Sequence, residues 1–184
     1  MSLRELENEL MEELPKKVGN LSSDWNLYST VTQRLKEMAR TVASDFGFYP
    51  YVIVCKFGPL PESKCGNYGM TVFEDDLGHL IRAEIYIPPQ IIQNEELTKA
   101  FFAHEFAELR LEREKKEKYR EYSDIGIKYE NNLGKLNKDE IDKYWKLLQE
   151  FEFGADDLAE EKGYNIYALN VFLIKIENSK SPTL

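Results

Sequence analysis

The sequence has no long apolar run, few cysteines and fewer basic than acidic residues, and each shortage excludes a class of protein. No apolar stretch approaches the roughly 18 residues that a membrane-spanning helix needs. Near the amino terminus, Glu5 and Glu7 stand where a signal peptide would have a basic and then an apolar region. We therefore expect a soluble, cytoplasmic protein that does not engage membranes.

Acidic residues dominate the charge of the chain. There are 33 Asp and Glu residues against 24 Lys and Arg, a formal net charge of −9, and the lysine-rich stretches are interleaved with Glu. Proteins that bind nucleic acids usually present a basic surface to the phosphates. The composition therefore argues against DNA or RNA as a partner.

The two cysteines, Cys55 and Cys65, flank a segment that contains Pro and Gly. Two thiols are too few for a structural zinc site, and in a reducing cytosol they would be free. Lys and Glu dominate the charged residues, a composition typical of heat-adapted proteins, in which an intracellular disulfide can persist. Both states of the pair stay open. A nucleophilic-cysteine enzyme, with His79 as the histidine nearest in sequence, is a distant functional hypothesis.

The length of 184 residues predicts one domain over residues 1–184 rather than two. Leucines at helical spacing over residues 3–14 predict a short helix within an N-terminal extension, residues 1–22. From Ser23 a 3.6-residue apolar period continues to Gly47, which predicts a core helix of about six turns that ends at the glycine.

Three β-rich segments follow this helix: Tyr51 to Phe57, Met70 to Phe73, and a strand after a turn at residues 75–78. In the last strand, Ile81, Ala83, Ile85 and Ile87 alternate with Arg82, Glu84 and Tyr86. Asn94 can cap the next helix, over residues 95 to about 116. The fold class is therefore α+β, with a small sheet of three or slightly more strands packed on a core helix.

The second half of the chain predicts one loop and two helices. The charged segment 118–136 predicts an insertion loop that could act as a lid. Asn137 begins a capping-box pattern, and the helix beyond it ends at Gly163. Its predicted buried face consists of Ile141, Tyr144, Trp145, Leu148, Phe151, Ala155 and Ala159. A last helix, from Ile166 to about Ile176, precedes a polar tail over residues 178–184.

The most informative helix carries His104, Glu105 and Glu108 among apolar residues. His104 and Glu108 are four residues apart and lie on one helix face, while Glu105 is rotated by about 100° and can reach the same ligand. Leu97 and Leu111 share the face of His104, so a carboxylate there needs a pairing partner, a hydrogen bond or a metal ion. The pattern differs by one letter from HExxH, in which two side chains bind zinc and the intervening Glu is the general base.

Glu152 is a second acidic residue on an apolar helix face, because it shares a stripe with Leu148 and Ala155. Asp156, one turn later, is placed to orient a metal-ligating histidine. Gly154 is destabilising within a helix by roughly 1 kcal/mol relative to Ala, which predicts that another backbone passes close to it. Together the motifs His-Glu-x-x-Glu and Glu-x-x-Ala-Asp predict one divalent metal site.

The order of elements, a helix, three strands, a His-Glu-x-x helix and a Glu-x-x-Ala-Asp helix, resembles that of the gluzincin metallopeptidases. The compact ImmA/IrrE-type and the Glu-x-x-Ala-Asp peptidases are the most similar, over about residues 24–163. The resemblance implies a compact zincin-like domain and a hydrolase that cleaves peptide or protein substrates. It also implies His104 as first metal ligand, Glu105 as general base, Glu152 as third ligand, and Asp156 as the acceptor that orients the histidine.

Glu108 stands where that family has its second histidine, and we expect it to be the second ligand. Two carboxylates and one imidazole neutralise a divalent cation, which weakens the polarisation of its water and slows catalysis at neutral pH. Zinc is the first expected ion, and manganese or iron are alternatives because oxygen ligands favour harder ions. Tyr164 and Tyr167 are candidate oxyanion donors by position, with ordinary packing as the alternative. The alternative function is a catalytically impaired zincin-fold binding or regulatory module.

Overall fold

The computed structural model of the protein describes residues 21–58, 68–131 and 136–180. These residues divide between two compact units, one that ends at Lys99 and one that begins at Ala100. The predicted helix over residues 3–14, Cys65, residues 132–135 of the predicted loop and residues 181–184 of the predicted tail lie outside the described residues. The single-domain organisation stays a prediction.

The first unit contains one long helix and a three-stranded sheet. The elements are α1 (Leu21–Asp45), β1 (Val52–Phe57), β2 (Gly69–Glu74) and β3 (Leu80–Ile87). The predicted core helix is confirmed: α1 buries Leu35, Ala39 and Val42, and it packs against β1. It begins two residues before the predicted cap and ends ahead of Gly47, whose φ of 80° suits a residue without a side chain.

The strand order is β1-β3-β2, with β1 parallel and β2 antiparallel to the central strand β3. The predicted turn between β2 and β3 is confirmed, because the amide of Gly78 donates to the carbonyl of Asp75 at 2.9 Å. The three predicted strands and the α+β class are therefore confirmed for the described residues.

The burial of β3 differs from simple alternation. Ile81 is 40% exposed, whereas Glu84 and Tyr86, on the face opposite the isoleucines, are buried. The Glu84 carboxylate accepts a hydrogen bond from Lys56 at 2.5 Å and from the Tyr86 hydroxyl at 3.2 Å, and it also pairs with Arg82. Because these paired side chains cover that face of the central strand, polar residues are buried there.

The second unit is helical, and α2 crosses the boundary between the units. The elements are α2 (Glu95–Glu114), α3 (Lys116–Asn131), α4 (Lys138–Leu148), a π-helical turn (Gln149–Phe153), α5 (Gly154–Glu161) and α6 (Ile166–Lys180). The Asn94 cap is confirmed by hydrogen bonds from the amides of Glu96 and Leu97, and the capping box of Asn137 is present. Residues 178–180 continue α6, where the sequence predicted a tail. No described helix is long and apolar enough to span a membrane.

The predicted insertion loop is wrong over residues 118–131, which belong to helix α3. Tyr119 and Tyr122 lie three positions apart on one helix face, and both rings pack against Phe151. The ring of Tyr122 also stacks on Tyr144, with centroids 5.6 Å apart. This aromatic packing stabilises a helix whose charged surface resembles the composition of a loop.

The π-helical turn shifts the buried face between α4, which precedes it, and α5, which follows it. Ile141 and Trp145, which were expected inside, are 37% and 56% exposed, whereas Leu147 and Phe151 are buried. A π-helical turn holds more residues than an α-helical turn. A pattern of buried positions that repeats every 3.6 residues therefore lies on a different helix face before the turn than after it. The predicted buried face is therefore confirmed at Phe151, Ala155 and Ala159, and it is wrong at Ile141 and Trp145. Tyr144 and Leu148 are partly buried.

Candidate metal centre

The imidazole of His104 lies between two carboxylates within the second unit. Its Nδ1 is 2.8 Å from Oδ1 of Asp156, and its Nε2 is 3.5 Å from Oε2 of Glu152. The side chain is 19% exposed. Because a carboxylate can only accept a hydrogen bond, we assign a proton to Nδ1, which leaves Nε2 for a ligand.

The surroundings of this histidine favour positive charge. Burial alone would lower the pKa of His104, but the carboxylates of Asp156 and Glu152 and the nearby charge of Glu105 outweigh burial and raise the pKa well above its ordinary value. A site that attracts a proton to Nε2 also attracts a metal cation to the same atom.

Asp156 is held from two sides, as the sequence predicted for a residue that orients the histidine. Its Oδ1 accepts from His104 on α2, and its Oδ2 accepts from Nδ2 of Asn170 on α6 at 3.0 Å. The two bonds fix the carboxylate, and the carboxylate fixes the plane of the imidazole. Asn170 was not anticipated, since nothing in its local sequence distinguishes it from other surface asparagines.

Glu152 lies in the π-helical turn, with its side chain 35% exposed. Tyr122 donates its hydroxyl to Oε1 of Glu152 at 2.8 Å. Burial would raise the pKa of Glu152, but the contact with His104 lowers it below its ordinary value. The close neighbour of Gly154 is a side chain and not a backbone as predicted: a Cβ there would lie 3.3 Å from Cδ1 of Leu111.

Glu108 occupies the same face of α2 as His104 and is partly buried. Burial, together with the charge of Glu152, raises the pKa of Glu108 to about 7, although a hydrogen bond from Tyr119 to Oε1 at 3.2 Å opposes this rise. Of these two carboxyl groups, Glu152 therefore carries its charge more readily than Glu108.

Glu105 is almost fully buried, at 7% exposure. Its charge contributes to the raised pKa of His104, so the two groups interact electrostatically. His104, Glu105, Glu108, Glu152 and Asp156 all belong to the second unit. Their roles as metal ligands, general base and orienting acceptor stay predictions.

The hydroxyl groups that contact the site glutamates come from Tyr119 and Tyr122, which the sequence reasoning missed. Their spacing of three residues within a charged segment was a usable signal for a packed helix face. Tyr164 is partly buried and Tyr167 is 73% exposed, and a role for either as an oxyanion donor stays a prediction.

Cys55 is a buried free thiol. Burial raises the pKa of Cys55 to about 12, which suppresses the thiolate that a nucleophile requires. His79, the histidine expected to activate it, lies on an exposed turn and bonds to Asp75 at 2.9 Å. These observations argue against Cys55 as a catalytic nucleophile.

Within the described ranges, no group of three or more His, Cys, Asp or Glu side chains is arranged so that it could hold a metal ion. The contacts above pair His104 with Asp156 and with Glu152, and they do not form a site with three ligands.

Comparison with known proteins gives no match to a protein-family model, to a curated protein or to a solved structure. The resemblance to gluzincins therefore depends on the two sequence motifs alone and stays a prediction.

Proposed function

We propose that this chain is a metal-dependent hydrolase, a metallopeptidase that acts on a peptide or protein substrate. The proposal is supported most by the placement of His104 Nε2 and Glu152 Oε2, which are 3.5 Å apart. The other polar atom of each side chain is already engaged, Nδ1 by Asp156 and Oε1 by Tyr122. The two remaining atoms face each other, as two ligands of one ion would.

The distance supports this interpretation. Two ligands of a tetrahedral zinc ion, each 2.0–2.2 Å from it, lie about 3.4 Å apart. A separation of 3.5 Å is long for a direct hydrogen bond but suits two atoms that share an ion. Glu108 would complete the set of three protein ligands after rotation of its carboxylate.

The residues of the chain would have separate tasks in hydrolysis. A bound divalent cation would supply Lewis-acid polarisation of the scissile carbonyl and of the attacking water. Glu105 would take the proton from that water and deliver it to the leaving amine. Asp156 would hold the imidazole of His104 in its ligating orientation, with Asn170 behind it.

The ligand set also bears on the ion and on the rate. Two carboxylates and one imidazole neutralise a divalent cation, so we expect slow turnover at neutral pH. Zinc is the proposed ion, with manganese or iron as alternatives for a site rich in oxygen. The proposal includes a zincin-like arrangement of the α+β fold and a cytoplasmic location.

A second candidate is a binding or regulatory module with the same fold and little turnover. It is favoured by the hydroxyl groups of Tyr119 and Tyr122, each of which donates a hydrogen bond to one of the two glutamates, Glu108 and Glu152. His104, Glu108 and Glu152 are not arranged as a complete set of metal ligands, which also favours a module with little turnover.

The test is hydrolysis of a peptide library with zinc or manganese supplied. Glu105→Gln removes the base with little change of volume and should slow cleavage by at least about 100-fold while the ion stays bound. Glu117→Gln, an exposed residue of α3, is the matched control and should cleave like the parent. Equal rates for all three proteins would refute the role of Glu105. Ion binding without cleavage by any of them would favour the module.

A further inference from the structure

Helix α4 and the π-helical turn that follows it present an apolar stripe on the surface of the second unit. The exposed fractions of Ile141, Trp145 and Phe153 are 37%, 56% and 52%. Trp145 lies four positions after Ile141, which is about one α-helical turn. Phe153 lies eight positions after Trp145, and an α-helical turn and a π-helical turn together hold about eight residues. The three side chains therefore follow one face of a continuous helical segment.

This stripe is separate from the side of α4 that packs inside the second unit. Leu147 and Phe151 are buried, and the ring of Phe151 stacks on Tyr122 of α3. The segment thus carries apolar side chains on two sides, one against α3 and one toward water. Large apolar side chains that are exposed in a row mark a surface for another protein rather than an ordinary helix surface.

The charges beside the stripe indicate what covers it. Lys138, Asp142 and Lys146 are exposed, lie four positions apart along one flank of the stripe, and alternate in sign. Two copies of α4 packed in parallel about a two-fold axis would place each of these charges opposite its own equivalent, which is repulsive. An antiparallel pair with its axis near residue 144 places Asp142 of each copy opposite Lys146 of the other. The same arrangement brings Ile141 of each copy to Trp145 of the other.

We infer that a second copy of this chain covers the stripe, with the two α4 helices antiparallel about a two-fold axis. Ile141, Trp145 and Phe153 of each copy form the apolar part of the interface, and two Asp142–Lys146 pairs lie beside it. Phe153 packs over the methylene groups of Lys138 at the start of α4 in the other copy. The inference does not depend on the proposed function, because it uses none of the residues assigned to hydrolysis.

The size of the stripe determines how tightly the copies associate. Trp145 and Phe153 are each about half exposed, so each would remove roughly 100 Å² from water. With Ile141 and the flanking side chains, the buried area stays below the roughly 800 Å² per copy that is typical of a stable complex. We therefore expect a reversible dimer with a Kd on the order of 10 μM.

The first experiment is sedimentation equilibrium of the full chain from about 1 to about 500 μM. The parent should change from the mass of one chain to twice that mass across this range. Trp145→Glu places a charge in the stripe and should weaken association by about 10-fold or more. Ile174→Glu is the matched control, because Ile174 is 57% exposed but lies on α6, and it should associate like the parent. Circular dichroism verifies the fold of each variant.

The second experiment mixes two charge reversals, Asp142→Lys and Lys146→Asp. Each variant alone faces its own copy with like charges and should associate about 10-fold or more weakly than the parent. In an equimolar mixture, the flank of one variant is basic and that of the other is acidic, so both facing pairs attract. The mixture should therefore recover association at least as strong as that of the parent, as mixed dimers. An effect of each reversal within its own helix would not be restored by mixing.

Three results would overturn the inference. The first is a parent that stays monomeric up to about 500 μM, which would assign the stripe to a different protein. The second is association that Trp145→Glu weakens no more than Ile174→Glu does. The third is a mixture of the two charge reversals that associates no better than either variant alone. If one charge reversal fails to fold, the comparison of Trp145→Glu with Ile174→Glu still decides.

Discussion

Nδ1 of His104 donates a hydrogen bond to Oδ1 of Asp156 at 2.8 Å, across 52 positions of the sequence. The same carboxylate accepts from Asn170 on α6, so three helices meet at one acidic group. This relationship fixes the orientation of the imidazole and directs Nε2 toward Glu152. The contact between His104 and Asp156 can be altered by a substitution at Asp156 that leaves the shape of the side chain nearly unchanged.

Asp156→Asn should therefore weaken metal binding by about 10- to 100-fold, because an amide holds the imidazole less firmly and does not favour its ligating form. Asp157→Asn is the control, since Asp157 is the next residue of α5 and is exposed. The measurement is zinc affinity by competition titration. Equal affinities in the two variants would show that Asp156 does not orient a ligand.

Metal affinity should fall as the pH is lowered from about 8 to about 6, because protons compete with the ion. Burial raises the pKa of Glu108 to about 7. Burial alone would lower the pKa of His104, but its carboxylate neighbours outweigh burial and raise that pKa well above its ordinary value. Both groups hold protons at the acid end of this range, and each must lose one to act as a ligand. Each displaced proton should lower the apparent affinity by about 10-fold per pH unit.

The control for this pH dependence is Glu108→Gln, which has no proton to release at that position. Its affinity should be lower than that of the parent and should vary less steeply with pH. If the metal affinity of the parent stays constant over this pH range, the ion displaces no proton from Glu108 or from His104.

Glu108→His restores the HExxH pattern and replaces an anionic ligand with a neutral one. The ion would then keep a net positive charge, polarise water more strongly and favour zinc, so cleavage of a peptide library should be faster than in the parent. In the parent, the Tyr119 hydroxyl donates a hydrogen bond to Glu108. In the variant, the same hydroxyl can accept a hydrogen bond from Nδ1 of the new histidine. Slower cleavage than in the parent would show that Glu108 is a tuned ligand.

Helix α3 should contribute to stability and not act as a removable lid. Tyr122→Ala deletes a ring that stacks on Phe151 and Tyr144, and it should lower the free energy of unfolding by about 2–4 kcal/mol. Ile127→Ala on the same helix is the control, because Ile127 is 55% exposed and should cost less than about 1 kcal/mol. Denaturant unfolding measures both, and equal small losses would restore the loop interpretation.

The elements with strong local signals could be predicted from the sequence. Helix α1 follows from its apolar period and Gly47, and the caps at Asn94 and Asn137 follow from their side chains. The candidate ligands could be named from the sequence because acidic residues on an apolar stripe, such as Glu152, are unfavourable unless they have a partner.

The remaining features depend on tertiary contacts that leave weak local signals. Helix α3 forms because Tyr119 and Tyr122 meet Phe151, which lies about thirty positions away in the sequence. The π-helical turn around Glu152 has no sequence signature, yet it determines which residues of α4 are buried. Asn170 acts only through Asp156, so its role required the geometry of α6.

The central claim is that His104, Glu108 and Glu152 bind one divalent metal ion. Elemental analysis of protein purified without chelator or affinity metal tests it most directly. The account predicts about one equivalent of a divalent transition ion, zinc first, in the parent and its loss in His104→Ala and Glu152→Ala. A parent that contains no such ion and takes none up from added zinc, manganese or iron would contradict the account.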